Sequence, residues 1–247
     1  MLLKISAMKN DCEILDWDSN FFGFKVCKVN RIIEGEAHIN DLFNFMKSHQ
    51  SSLAYYASKN EIDSRLAATV LFEISLVDKK TTFVKRINNH AVVHPFITAY
   101  EKAIPEKKLL DLAIQSGQYS RFNVDDRIEK KKLEELYEQW IINSVNKKIA
   151  KEVMVFMESG QIAGFVTLGV KNERADVGII AVDHQYRGKG VGQMLMSAAE
   201  NWFYTHGFST MQVVTQGCNY SACRLYERCG YQVESVNFFY HLWRNNF

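Results

Sequence analysis

Eight consecutive residues, Gln185-Tyr186-Arg187-Gly188-Lys189-Gly190-Val191-Gly192, combine three alternating glycines with two cations. Glycines at alternate positions let a backbone approach a ligand without Cβ interference. The run follows an apolar segment, ADVGIIAV (175–182), and opens a segment in which Val191, Leu195, Ala198 and Trp202 form one helical stripe. A helix start leaves amide N–H groups unpaired and carries the positive end of the helix dipole. Arg187, Gly188, Lys189, Gly190, Val191 and Gly192 are therefore expected to cradle a pyrophosphate, with Arg187 or Lys189 assisting from the side. The bland alternative is a glycine-rich turn that only redirects the chain. Two nucleotide motifs are excluded by spacing. A P-loop requires GxxxxGK[ST], and a dinucleotide fold requires GxGxxG with an acidic residue ~20 positions further on.

A second group lies downstream. Asn219 is a good N-cap for a helix that Gly230 is placed to end. Tyr226 follows Asn219 by seven positions, about two turns along the same helix face. Asn219 serving as a cap alone, and Tyr226 packing beneath the last strand, are the structural alternatives.

The elements that must hold these residues follow from periodicity. VMVFM (153–157), QIAGFVTLGV (161–170) and ADVGIIAV predict three strands joined by the short turns ESG and KNER, an antiparallel meander. The succession strand, helix, strand makes ADVGIIAV and TMQVVTQ (210–216) parallel neighbours. The chain finishes on an aromatic-rich strand, YQVESVNFFYHLW. Upstream, EKKKLEELYEQWIINSVNK predicts a helix with Leu133, Leu136, Trp140 and Val145 on one face. Before it come a β-like ITAYEKA, a helical stretch and a polar connector, SGQYSRFNVDD (116–126). In the first half, LAYYAS (53–58) and TTFVKRI (81–87) predict strands, and Ser64 to Glu73 a helix. The two prolines, Pro95 and Pro105, lie between differently organised halves. The expected domains are a small α/β domain over residues 1–92 and a second domain over residues 93–247 that carries the chemistry.

Composition narrows the function classes. With 47% hydrophobic and 23% charged residues in 247, the chain has material for a core. Thirty basic against 28 acidic residues leave a net charge of +2 and no basic stripe, which argues against nucleic acid. No run approaches ~18 apolar residues, so no membrane span is expected. The apolar run at the N-terminus is too short for a signal peptide. Five cysteines, Cys12, Cys27, Cys218, Cys223 and Cys229, point to reduced thiols and a cytoplasmic location. No CxxC pair or nearby His accompanies the last three, and Pro95 separates His90 and His94 from a shared helix, so no metal is expected.

The run VDHQYRGKGVG (182–192) resembles the acetyl-CoA signature of the GNAT superfamily of N-acetyltransferases, Q/R-x-x-G-x-G/A. Arg187, Gly190 and Gly192 match it, as do Gln185, Gly188 and Gly190 two residues earlier. NYSACRLYERCGY (219–231) is similar to that family's N-x-x-A-x-x-L-Y-x-x-x-G-F/Y block. His184 stands where many members carry proline. The resemblance implies a mixed, mostly antiparallel α/β (α+β) fold with one splayed parallel strand pair. It also implies that Ile180, Ala181 and Val182 pair their backbone with the pantetheine arm of acetyl-CoA. Asn219 would hydrogen-bond that arm, and Tyr226 would serve as general acid to the departing thiolate. Glu173 and Asp176 are the nearest upstream carboxylates that could take the amine's proton, with water as the alternative.

ILDWDSNFFGFKVCKV (14–29) resembles the opening of the TDP-fucosamine acetyltransferase family through Trp17, Asp18, Phe21, Phe22 and Gly23. The likeness continues in Ser120, Arg121 and Phe122 and in Tyr137, Gln139, Trp140 and Asn143. It implies N-acetylation of a 4-amino sugar on a thymidine diphosphate carrier, for surface polysaccharide, with Arg121 as a candidate for the substrate phosphates. Trp17, Phe21 and Phe22 read as core or domain-interface residues, with a base-stacking platform as the alternative. Acetylation of another amine and a non-catalytic acyl-CoA-binding module are the alternatives, and a homodimer stays open.

Overall fold

A computed structural model of the chain describes residues 11–62, 66, 68–88 and 93–245. The elements of its first part are β1 (Cys12–Ile14), α1 (Asp16–Phe22), β2 (Lys25–Val29), α2 (Gly35–Ser48), β3 (Ser51–Ser58) and β4 (Phe72–Arg86). Then follow β5 (Ile97–Ala99), α3 (Lys107–Ser116), α4 (Arg121–Val124), α5 (Lys130–Val145), β6 (Glu152–Glu158), β7 (Gln161–Lys171) and β8 (Arg174–Val182). The last elements are α6 (Val191–Thr205), β9 (Thr210–Gln216), α7 (Tyr220–Arg228) and β10 (Gln232–Arg244). By internal contacts the chain forms two compact units, residues 1–80, 124–128 and 236–247, and residues 81–123 and 129–235. Neither unit is one stretch of sequence, and the boundary expected at residues 92–93 from the pattern of the two halves falls inside the second unit's range.

In the first unit β1 pairs antiparallel with β2, β2 runs parallel to β3, and the end of β10 pairs antiparallel with β3. Helix α2 supplies the crossover that a parallel β2–β3 pair requires. Its Ile39, Leu42, Phe45 and Met46 are buried, one helical face packed with Cys27, Val29, Ala54 and Tyr56 from the strands. Helix α1 stops at Gly23, whose φ of 79° is left-handed. Of the aromatic residues singled out here, Phe22 is buried while Trp17 is 53% exposed and stacked on Phe21. The helix expected from Ser64 to Glu73 includes residues 64, 65 and 67, which lie outside the described residues, as do His90 and the first ten positions. At its far end, Phe72 and Glu73 instead begin β4, where Phe72 and Val77 turn inward among mostly exposed neighbours.

In the second unit β9, β8, β7, β6 and β5 are neighbours in that order. The expected meander is present: β6 pairs antiparallel with β7, and β7 with β8. Both connections are two-residue turns with positive φ at each position, Ser159 and Gly160 in one, Asn172 and Glu173 in the other. That is the mirror-image turn whose twist matches paired strands. Helix α6 then carries the chain over so that β9 lies parallel to β8. The stripe on α6 is buried at Val191, Leu195 and Ala198, but Phe203 rather than Trp202 completes it; Trp202 stacks on His206 at 3.8 Å. Leu195 and Phe203 pack with Ala163, Val166, Leu168 and Val213, and burial of each large side chain contributes about 1.5–3 kcal/mol.

Candidate active site

Strands β8 and β9 pair only from Ala175–Val177 to Met211–Val213, although β8 continues to Val182 and β9 to Gln216. On its other edge β8 carries an extra residue against β7: Val166 faces Ile180, but Leu168 faces Val177. The Thr167 hydroxyl fills the irregularity by accepting the Ile179 amide at 2.8 Å. A bulge of this kind bends a strand and ends regular pairing. Beyond it the parallel strands part, and a cleft of about 610 Å³ opens between Gly178–Val182 on one side and Val213–Gln216 on the other. Ile180, Ala181 and Val182 line it, on the stretch of β8 that β9 no longer pairs.

At the end of β8 the chain enters a tight turn over His184–Tyr186. Asp183, buried, caps that turn by accepting the Gln185 amide at 2.8 Å and receives the Lys108 ammonium from α3. The ammonium, followed by the Gln185 amide, holds the Asp183 carboxyl below its ordinary range. Arg187 Nε donates to the Val182 carbonyl at 3.1 Å. Gly190 then caps α6 with φ 81° and no side-chain bond, so the amides of the first turn have no capping oxygen. Arg187, Gly188, Gly190, Val191 and Gly192 all line the cleft. Lys189 does not; its ammonium lies 4.9 Å from the centre of the Tyr186 ring.

The three glycines have different reasons. Gly188 and Gly190 hold left-handed backbone, φ 77° and 81°, which L side chains disfavour. Gly192 serves packing instead: a Cβ there would lie 3.1 Å from Leu225 Cδ2.

Asn219 caps α7, its Oδ1 accepting the Ala222 amide at 3.2 Å, and it lines the cleft. The other end of α7 closes as predicted: Gly230 at φ 84° donates to Glu227, and the Tyr231 amide donates to the Tyr226 carbonyl. Tyr226 is 3% exposed, packs on Phe83 with ring centres 5.5 Å apart, and also lines the cleft. Burial pushes its phenol well above the ordinary tyrosine range, with Cys223 and Cys229 adding to the effect.

The lining is completed by Gln115 and Ser116 at the end of α3, by Gln118 and Tyr119 just after it, and by Tyr137 and Trp140 on α5. Trp140, read in the sequence as part of the buried face, is half-buried and turned to the cleft; Tyr137 and Ile141 occupy that face. Arg121 begins α4, its guanidinium 4.6 Å from the Phe122 ring centre, and is not among the lining residues. Glu173 sits in the β7–β8 turn, and Asp176 accepts from Gln212 Nε2 at 2.8 Å; neither lines the cleft. Among the described residues the lining contains three arginines, Arg187, Arg224 and Arg228, and no Asp, Glu or His. The two arginines of α7 were not singled out in the sequence, although their spacing of four on a helix was a usable signal. The Lys108–Asp183 pair had none, because its members are 75 positions apart.

The five cysteines are free thiols, Cys12 and Cys27 buried and Cys218 exposed. Burial pushes the Cys12 thiol up to about 11 and the Cys27 thiol up to about 12. Among the described residues no cluster of His, Cys, Asp and Glu could hold a metal ion, and no helix is long and apolar enough to cross a membrane.

Comparison with known proteins places this cleft in a family context. Residues 114–231 match the Acetyltransferase (GNAT) family model. The chain is 29% identical over 230 residues to the dTDP-fucosamine acetyltransferase of Escherichia coli O6:H1, covering 91% of this chain and 94% of that protein. It is 26% identical over 135 residues to the spore coat polysaccharide biosynthesis protein SpsD of Bacillus subtilis, spanning 55% of this chain and 46% of that protein. In fold it is similar to a GCN5-related N-acetyltransferase from Sphaerobacter thermophilus, with a TM-score of 0.58 and 13% identity over 96% of this chain and 77% of that one.

Proposed function

Since residues 114–231 match the GNAT acetyltransferase family, we propose that the chain transfers the acetyl group of acetyl-CoA to the 4-amino group of a TDP-linked amino-dideoxy sugar. The observation that carries this reading is the charge of the cleft: three arginines and no carboxylate among its described lining residues. Such a lining favours two phosphate-bearing substrates and disfavours polycationic acceptors, which need acidic walls. The likeness to a dTDP-fucosamine acetyltransferase along nearly its whole length supports the same acceptor class.

The uncapped amides of Val191, Gly192 and Gln193, with Arg187, would hold the pyrophosphate. Ile180, Ala181 and Val182, unpaired by β9, would offer backbone bonds to the pantetheine arm, and Asn219 would add its side-chain amide. In a ternary complex the sugar amine attacks the thioester carbonyl. The C–N bond forms, the C–S bond breaks, and the electron pair leaves on sulfur. Tyr226, kept neutral by burial, would donate a hydrogen bond to that growing thiolate. An ordinary tyrosine near pKa 10 already faces a thiol near 8.5, so full proton transfer would be uphill by roughly 2 kcal/mol. Burial makes it more so, and stabilisation of the departing charge is the role that fits. With no carboxylate among the described lining residues, the amine's proton would leave through water.

CoA release measured with TDP-linked 4-amino sugars, polyamines, aminoglycosides and peptides tests the reading. Turnover is expected with the nucleotide sugars. Release with peptides or aminoglycosides alone would overturn the acceptor, and acetyl-CoA binding without release for any amine would make the chain a binding module.

A further inference from the structure

Neither the signature loop nor Tyr226 accounts for two cationic side chains on the cleft. Arg224 and Arg228 stand four residues apart on α7, and Ser221 lies three before Arg224, so the three share one side of the helix. All three line the cleft. Arg31, Arg127 and Arg174 each pair with a carboxylate, whereas among the described residues neither Arg224 nor Arg228 forms an ion pair. Like charges at this spacing weaken a helix. The dipole at the C-terminal end of α7 offsets the cost for Arg228, which lies in its last turn, but not for Arg224.

Leu225, next to Arg224, sets where this stripe stands. Its side chain lies over Gly192, where an added Cβ would meet Leu225 Cδ2 at 3.1 Å and Cδ1 at 3.3 Å. The helix segment that carries the arginines is thereby held beside the first turn of α6, whose uncapped amides would cradle the pyrophosphate in the reading above. The cleft lining thus presents two kinds of anion donor: backbone amides at a helix start and two guanidinium groups four residues apart on α7. We infer that Arg224 and Arg228, with the Ser221 hydroxyl, bind the 3′-phosphate of the CoA ribose. Guanidinium forks suit the dianionic oxygens of a phosphomonoester, with which they form charge-assisted hydrogen bonds. The inference rests on the acetyl-CoA reading above and adds to it a site for the second phosphate group. The same chemistry could be supplied by the diphosphate of the acceptor nucleotide.

Titration calorimetry with CoA, 3′-dephospho-CoA and TDP separates the sources. Wild-type protein is expected to bind CoA ~10-fold or more tightly than 3′-dephospho-CoA. The Arg224→Gln/Arg228→Gln double variant is expected to bind both equally, at the wild-type level for 3′-dephospho-CoA. Both side chains are exposed, so its melting temperature should match wild type. Wild-type protein that does not discriminate, or a double variant that still does, overturns the inference. Loss of TDP binding with CoA discrimination intact assigns the arginines to the acceptor and overturns it equally. Binding of 3′-dephospho-CoA with no preference for CoA would sink this inference alone, whereas wild-type protein that binds neither would sink the acetyl-CoA reading too.

Discussion

Lys108, in the first turn of α3, donates to the buried carboxylate of Asp183, which closes β8 and caps the turn leading into the signature loop. Oδ1 of the same carboxylate is 3.2 Å from His184 Nδ1. One carboxylate therefore ties α3, whose last residues line the cleft, to the point where the glycine loop begins.

Replacing Asp183 by Asn removes the charge and keeps the shape. The variant should lose about 1–2 kcal/mol of stability and raise the KM for acetyl-CoA several-fold, with kcat little changed. The carboxyl is held below its ordinary range by Lys108 and the Gln185 amide. A depressed folded-state pKa contributes stability that is fully present above the unfolded value near 3.9 and is lost as pH falls through the folded value. Thermal melts should show a constant gap between wild type and Asp183→Asn above about pH 5 that narrows in stronger acid. A gap independent of pH down to pH 2 would contradict the pairing.

Tyr226→Phe should reduce kcat by ~10²-fold or more while leaving the KM for acetyl-CoA close to wild type, as for a positioned proton donor. Because burial raises the phenol's pKa, the wild-type rate should show no alkaline decline attributable to Tyr226 below about pH 10. A correctly folded Phe variant with near-normal kcat would remove Tyr226 from the chemistry.

The absence of carboxylates from the described cleft lining makes a prediction about the base. With water taking the proton, kcat/KM should follow the titration of the acceptor amine, rising about tenfold per pH unit up to that amine's pKa. Glu173→Gln, in an exposed turn, and Asp176→Asn, whose partner is Gln212, should leave the profile unshifted. A shift with either would place that carboxylate in the proton path.

Gly192→Ala sets a methyl group 3.1 Å from Leu225 and should cost about 1–3 kcal/mol through overpacking. Combining it with Leu225→Ala should recover part of that loss, a coupling that a double-mutant cycle on denaturation midpoints measures. Gly190→Ala, at φ 81°, should cost about 1–2 kcal/mol with no such rescue.

Local chemistry was readable without coordinates. Alternating glycines before an apolar stripe marked the start of α6, the turns ESG and KNER marked the meander, and Asn219 with Gly230 bracketed α7, because caps, turns and periodicity are decided within a few residues. Helices α1 and α2 escaped the reading, and Trp140 and Trp202 were assigned to faces that neighbouring residues occupy. An apolar stripe tells that a face is buried, but which of two adjacent aromatics enters the core depends on what packs against it. Only the tertiary structure decided that β8 leaves β9 after Val177, that Gly192 is small for the sake of Leu225, that Lys108 meets Asp183, and that the cleft's described lining residues include three arginines and no carboxylate. Each of these depends on groups far apart in the chain, and no local propensity encodes where such groups will meet.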